Sequence, residues 1–288
     1  MQNGGGTNSV EKALWFVENR LAGELSLQAI AQSVGVSNHH LARTFGAATG
    51  QSLMRYARGR RLSEAARALT AGAPDILAVA LSAGYGSHEA FTRAFHEQFG
   101  VTPESCRAAG SLDHIQLVEP IRMDKSLLID LPEPRFEDHK ELLIAGFAAR
   151  YTFETNEGIP GQWRRFGPHI GSVPRQVGPE TYGVACNFDE TGSFEYIAGV
   201  QVSAFGALPE AFATVRIRPQ HYAVFSHHEH VSMLRRTHYT IWNKWLPGSA
   251  MEIADAPSFE RYSKQFNPMT GTGLIEVWMP VNDRTKEK

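Results

Sequence analysis

Residues 35–50, GVSNHHLARTFGAATG, are answered by residues 84–100, GYGSHEAFTRAFHEQFG, and nothing in the remaining two thirds of the chain repeats them. Ile30 matches Val79 and Gly35 matches Gly84 at an offset of 49. After one inserted residue, Ser37 matches Ser87, Leu41 Phe91, Arg43 Arg93, Phe45 Phe95 and Gly50 Gly100 at an offset of 50. A constant offset over so many positions is an internal repeat, and two copies are too few for a solenoid. The first third must therefore build two equivalent units, and the rest must fold on other terms.

Length and charge bound the rest. At 288 residues the chain has room for about two domains. No apolar run approaches the ~20 residues of a membrane span, and MQNGGGTNSV reads as a disordered lead-in rather than a signal peptide. Cys106 and Cys186 stand alone, which favours a reducing cytoplasm over a disulfide framework. Composition shifts near residue 108, from alanine-rich helical spacing to strand-like runs rich in aromatics and proline.

The first third reads as all-helical. Ser26 can cap a short helix that Gly35 ends, and Ser37 caps the next, a helix-turn-helix signature. With Leu41 toward the core, Phe45 and Ala48 bury, while His39 and Arg43 point away, flanked by Asn38 and Ala42. In the second copy Phe91 and Phe95 bury, while Glu89, Arg93 and His96 face out. An arginine and short polar groups on a narrow helix suit a DNA major groove; solvated surface charge is the alternative for either copy alone. Between the copies lies a longer helix with Arg55, Arg58, Arg60, Arg61 and Arg67, and no acidic residue falls between Arg43 and Arg61, which suits phosphate contact. Two reading helices joined by such a helix can enter successive major grooves about 34 Å apart.

On these motifs (SLQAIAQSVGVSNHHLARTF, RRLSEAARAL and GYGSHEAFTRAFHEQFGVTPESCR) residues 8–107 resemble the double helix-turn-helix domain of the AraC/XylS transcription regulators. The chain departs from that pattern at ESCR, where the family more often has an aromatic before the closing arginine. The resemblance implies base reading by Asn38, His39, Ala42 and Arg43 in the first unit and by His88, Glu89, Thr92 and Arg93 in the second. Arg58 and Arg61 are the expected phosphate contacts. Double-stranded DNA is the implied partner, with RNA polymerase a further candidate; the oligomeric state stays open.

Residues 108–125 read as a connector that leads into a new strand. Beyond it, strand-like runs are interrupted by two helical stretches near 159–170 and 231–247. Strand, helix and hairpin occur in that order twice, offset by about eighty residues, Tyr182 against Tyr262. The expected second domain is α+β, two pseudo-symmetric βαββ modules with a groove between them. Alternation puts Leu274, Glu276 and Trp278 on one face of GLIEVWMPV, and Glu260 with Tyr262 on one face of SFERY. Carboxylates framed by aromatics suit a flat, cationic, apolar ligand. The plainer alternative is a surface-exposed Glu276 on an edge strand.

The order and spacing of IPGQWRRF, YGVACNFDETGSFEYIAGVQV, YAVFSHHEHVSMLRRTHYTIWNKWLPGS and PSFERYSKQFNPMTGTGLIEVWMPV make residues 124–282 similar to the GyrI-like small-molecule-binding domain. That resemblance implies a small-molecule effector held by Glu276, with Trp278, Glu260, Tyr262, Trp163, Tyr182 and Tyr196 around the groove. It implies a regulator that needs no cofactor and no turnover. A hydrolase using Glu276 with Tyr182 or Tyr262 is the alternative in a different class. A metal at His227, His228, Glu229 and His230 is not expected, since alternate residues of a strand end diverge and no paired ligand motif accompanies them.

Overall fold

The repeat is legible in the helix caps of the structure, a computed structural model that describes residues 9–283 apart from 74, 123 and 207. The lead-in, and residue 8 at the expected start of the helical domain, lie outside those residues. The chain divides into two compact units, one of Asn8–Phe45 and Gln51–Met123, the other dominated by Asp124–Lys288.

The first unit contains α1 (Ser9–Glu18), α2 (Leu27–Val34), α3 (Asn38–Thr49), α4 (Leu53–Thr70), α5 (Ile76–Ser82), α6 (His88–Phe99) and α7 (Pro103–Ala109). The Ser26 hydroxyl accepts from Ala29 N at the start of α2, and the Asp75 carboxylate does the same for Leu77 N and Ala78 N at α5. Gly35 (φ 78°) and Gly84 (φ 80°) then make the same left-handed turn. Ser37 and Ser87 cap the second helix of each pair at 3.2 Å. The two helix-turn-helix units α2–α3 and α5–α6 thus share local geometry. Leu41, Phe45, Phe91 and Phe95 are fully buried, as their spacing predicts.

The connector after α7 packs back on the helical unit before the first strand begins at Arg135. Leu112, Ile115 and Leu117 pack on the core of the second helix pair. Val118 N donates to the buried Ser63 hydroxyl at 2.8 Å, and the Val118 carbonyl accepts from Arg60 Nη1 at 2.9 Å. Val118 also lies so close to Gly59 that a Cβ there would meet it at 2.8 Å. The connector is a strap laid along α4.

The second unit is one antiparallel sheet flanked by helices. Its strands are β1 (Arg135–His139), β2 (Leu142–Thr152), β3 (Gln176–Cys186), β4 (Ser193–Val202), β5 (Ala213–Ile217), β6 (Gln220–His227), β7 (Met251–Ile253), β8 (Ser258–Tyr262) and β9 (Ile275–Asp283). The order is β1-β6-β9-β8-β3-β4-β2-β5, with β7 on β9. Helix α8 (Ile159–Phe166) follows β2, and α9 (Leu234–Thr240) follows β6. From the β3–β8 seam outward, β3-β4-β2-β5 mirrors β8-β9-β6-β1, so β2-α8-β3-β4 and β6-α9-β8-β9 are the two expected βαββ modules. Each module's outermost strand comes from the other's side of the chain.

Register decides the faces. Phe259 pairs with Trp278 and Arg261 with Glu276, while Glu260 pairs with Val277 and Tyr262 with Ile275. One face buries Tyr182, Val184, Tyr222, Phe259 and Trp278. The other buries Tyr196, Ala198 and Val200, with Phe166 and Trp163 of α8 packed on it. Tyr182 and Tyr262, matched by the eighty-residue offset, therefore lie on opposite faces.

Candidate functional site

The expected DNA-facing residues divide by exposure. On α6, Glu89 and Arg93 are exposed and His88 and Thr92 half-buried. The His88 Nε2 lies 3.0 Å from Glu104 Oε1 on α7, which steadies the start of the helix. On α3, His39 is exposed and Asn38 half-buried, but Arg43 is 7% exposed and Ala42 4%.

The basic helix α4 is also less available than its composition implies. Arg60 is buried and lies over Glu18 of α1 (Nη2 to Oε2, 2.9 Å), with Glu64 at 3.0 Å. Tyr56 donates to the same Glu18 carboxylate at 2.5 Å. Burial works to raise the Glu18 carboxyl, but the Arg60 and Tyr56 hydrogen bonds and the Arg60 charge together hold it below its usual value. Arg61, an expected phosphate contact, donates from Nε to the Leu21 carbonyl at 2.8 Å and from Nη2 to the Gly23 carbonyl. Its guanidinium closes the turn after α1, which limits its reach to phosphate. Arg58 remains exposed, 3.9 Å from an equally exposed Glu97, and Arg55 is exposed one turn before it.

In the second unit the seven expected ligand residues do not line one groove. Glu276, Trp278 and Tyr182 share one face; Glu260, Tyr262, Tyr196 and Trp163 share the other. Nor is Glu276 an unpartnered carboxylate. It is buried between two guanidinium groups, with Arg135 Nη2 at 2.7 Å and Arg261 Nη2 at 2.5 Å, and it accepts from Trp278 Nε1 at 3.2 Å. Both arginines also stand over the Trp278 ring, at 5.6 and 5.3 Å. The cation such a carboxylate requires is already supplied by the chain.

Glu260 is arranged differently. Its Oε2 accepts from Tyr262 at 2.9 Å and from Tyr196 at 3.1 Å, and its Oε1 lies 2.9 Å from His238 Nε2 on α9. Trp163 Nε1 of α8 donates to the Tyr196 oxygen at 3.1 Å, and the Trp163 ring meets Tyr262 edge-on at 5.1 Å. Gly183 on β3 makes this possible, since a Cβ there would collide with the Tyr196 hydroxyl and approach Glu260 Oε2. Burial would raise Glu260, but the hydrogen bond and charge of His238, with the two phenols, hold its carboxyl below the usual range. Burial and the adjacent carboxylate push both phenols well above theirs. An anionic carboxylate thus sits among neutral tyrosines and a tryptophan, between one helix of each module. Sequence reasoning missed His238, which shares no motif with Glu260; its place on α9, the counterpart of the helix that carries Trp163, was the available signal.

The SHHEH run shows no converging ligand set. His227 is buried with Nδ1 2.9 Å from Thr237 Oγ1 and Nε2 3.3 Å from the His230 carbonyl, and His228, Glu229 and His230 are exposed. Among the described residues no helix is long and apolar enough to cross a membrane.

Comparison with known proteins follows these two halves. Residues 132–282 match the GyrI-like small molecule binding domain, and residues 30–109 match a helix-turn-helix domain. The transcriptional regulator Rob of Salmonella typhimurium strain LT2 is 26% identical over 284 residues, 93% of this chain and 94% of that protein. The multiple antibiotic resistance protein MarA of Escherichia coli K12 is 31% identical over 113 residues, 39% of this chain and 89% of MarA. The right origin-binding protein of the same strain is 33% identical over 143 residues, 50% of this chain and 48% of that protein.

Proposed function

We propose that this chain, which belongs to the GyrI-like small molecule binding domain family and carries an AraC-type helix-turn-helix unit ahead of that domain, is a DNA-binding transcriptional regulator controlled by a small-molecule effector. The two domains are residues 8–107 and 124–282, and the strap between them rides on the first. The working compartment is the cytoplasm, and RNA polymerase is the partner through which bound DNA is read out.

DNA is read by the two second helices of the repeat. Glu89 and Arg93 are the exposed members of the reading set of α6, and His88 and Thr92 the half-buried ones. Asn38 and His39 begin the set on α3, and Ala42 and Arg43 complete it. Arg58 contacts phosphate, with Arg55 beside it, and Arg61 does so less, because its guanidinium holds the backbone near Leu21.

The effector site is the Glu260 cluster, and one observation carries this reading. Glu260 is a carboxylate among buried aromatics whose counter-charge is a single half-exposed histidine, whereas Glu276 is already held by two arginines. A desolvated carboxylate with stacking partners attracts a planar or amphiphilic cation. Glu276, Trp278 and Tyr182 then support the sheet from its other face. Hydrolysis at this site is the second reading, and the DNA-binding unit disfavours it, because occupancy alone suffices for signalling. Titrating a lipophilic aromatic cation into a DNA-binding assay tests the proposal: a saturable change in operator affinity supports it, and no change at saturating cation contradicts it.

A further inference from the structure

We infer that His238 sets the charge selectivity of the Glu260 site: its imidazolium holds the position on the carboxylate that a cationic effector must take, so proton and effector compete. The inference rests on the reading of Glu260 as the effector carboxylate and adds to it a residue and a direction.

The two oxygens of Glu260 have different partners. Oε2 is held by Tyr196 and Tyr262, whose side chains are buried deep in the sheet face. Oε1 is held by His238 at 2.9 Å. The His238 side chain is 33% exposed and that of Glu260 15%, so the imidazole is the outer member of the pair. A cation approaching Glu260 from solvent meets His238 first.

While His238 is charged, a second cation at Oε1 gains less, because the repulsion between the two offsets part of its attraction to the carboxylate where solvent screening is weak. The phenols are neutral donors that a cation can leave in place. The effector therefore pairs there best once His238 releases Oε1 or loses its proton. A neutral ligand makes no such demand.

The groups facing His238 make the proton assignable. Glu260 and Tyr262 come from β8, Tyr196 from β4 and His227 from β6, while the exposed His228, Glu229 and His230 lie in the loop before α9. Glu260 is held below, and both tyrosines above, the ranges in which those side chains ordinarily titrate. Burial lowers His227, and its Nδ1 lies against Thr237 rather than the carboxylate.

The test uses the full chain and a permanently charged probe, methyltriphenylphosphonium, with neutral triphenylphosphine oxide as its analogue. Affinities are measured by calorimetry from about pH 5.5 to about pH 7.5, the window in which histidines ordinarily change charge. For the wild type, cation affinity should rise with pH, and the neutral analogue should stay flat. His238→Gln keeps a donor but no charge; it should bind the cation tightly at both ends of the window. Glu260→Gln should bind the cation weakly throughout. A pH-independent cation affinity in the wild type, or an unchanged slope in His238→Gln, overturns the role of His238 while a weakened Glu260→Gln leaves the site itself standing. Equal cation binding by Glu260→Gln and the wild type removes the site and the inference together. The wild-type slope needs no variant, and melting curves at each pH establish that the variants are folded.

Discussion

Glu260 and Glu276 lie on opposite faces of the same sheet, one on β8 and the other on its neighbour β9. Glu260 faces α8 and α9 with two phenols and a histidine for partners, and Glu276 faces the far side with two arginines. The same residue type thus pairs with a lone histidine in one place and with two arginines in the other.

Replacing Arg93 with Ala should cost about 1–3 kcal/mol at a specific DNA site and relax base preference locally. Arg58→Ala should weaken specific and non-specific binding alike and make the salt dependence shallower. Filter binding on matched and scrambled duplexes at several salt concentrations separates the two. Equal loss by Arg93→Ala on all sequences would remove it from the base-reading set.

Arg60 holds Glu18 across the first unit, so Glu18→Gln should destabilise that unit by about 2–3 kcal/mol, below the ~3–5 of a fully buried pair because Glu18 is 26% exposed. Chemical denaturation of the full chain should show the loss in the transition that reports on the first unit. DNA affinity at low temperature, where the fold persists, should change little.

Truncation after residue 109 should be far less stable than truncation after residue 122, because the strap carries apolar side chains onto the core and occupies Ser63 and Arg60. Ser63→Ala removes the acceptor for Val118 N and should cost about 1–3 kcal/mol. Melting temperatures of the two truncations decide whether the strap belongs to the helical fold.

Gly183→Ala places a methyl group against the Tyr196 hydroxyl and Glu260. Overpacking of this kind costs about 1–3 kcal/mol, and here it should also weaken effector binding. A variant with full stability and full binding would show that the cluster has slack the structure does not reveal.

The pH dependence of stability has a definite sign. Glu260 has a folded pKa below its unfolded one, so its contribution is present above the ordinary carboxylate range and is lost as pH falls through the folded value. Tyr196 and Tyr262 have raised folded values, so their contribution is present below the ordinary phenol range and is lost as pH rises through the folded value. Glu260→Gln should flatten the acid limb of the stability profile and shrink the alkaline limb without abolishing it, since burial still raises both phenols.

The helical third was readable because its signals are local. Ser37, Ser87, Gly35 and Gly84 act within a turn of their own positions, and a fixed offset exposes them. The two βαββ modules were readable for the same reason, from the order of runs and helices. The site was only half readable, because alternation within SFERY and within GLIEVWMPV orders the side chains of each strand but says nothing of the register between them. A one-residue difference in register decides whether Glu260 or Arg261 stands beside Glu276. Arg60 and Arg61 were counted as available charge because their partners, Glu18 and the carbonyls of Leu21 and Gly23, lie about forty residues upstream. His238 is marked in its own segment only by its place on α9, and it gains its meaning from Glu260 across the module.

The most direct test compares Glu260→Gln with Glu276→Gln for binding of methyltriphenylphosphonium to the full chain at about pH 7.5, with triphenylphosphine oxide alongside. Glu260→Gln should lose cation affinity by about 1–3 kcal/mol, as for a charge-assisted contact, and keep the neutral analogue. Glu276→Gln should lower the melting temperature through its stranded arginines yet bind the cation as the wild type does below that temperature. Loss of cation binding in Glu276→Gln with full binding in Glu260→Gln would contradict the assignment and move the effector to the other face of the sheet.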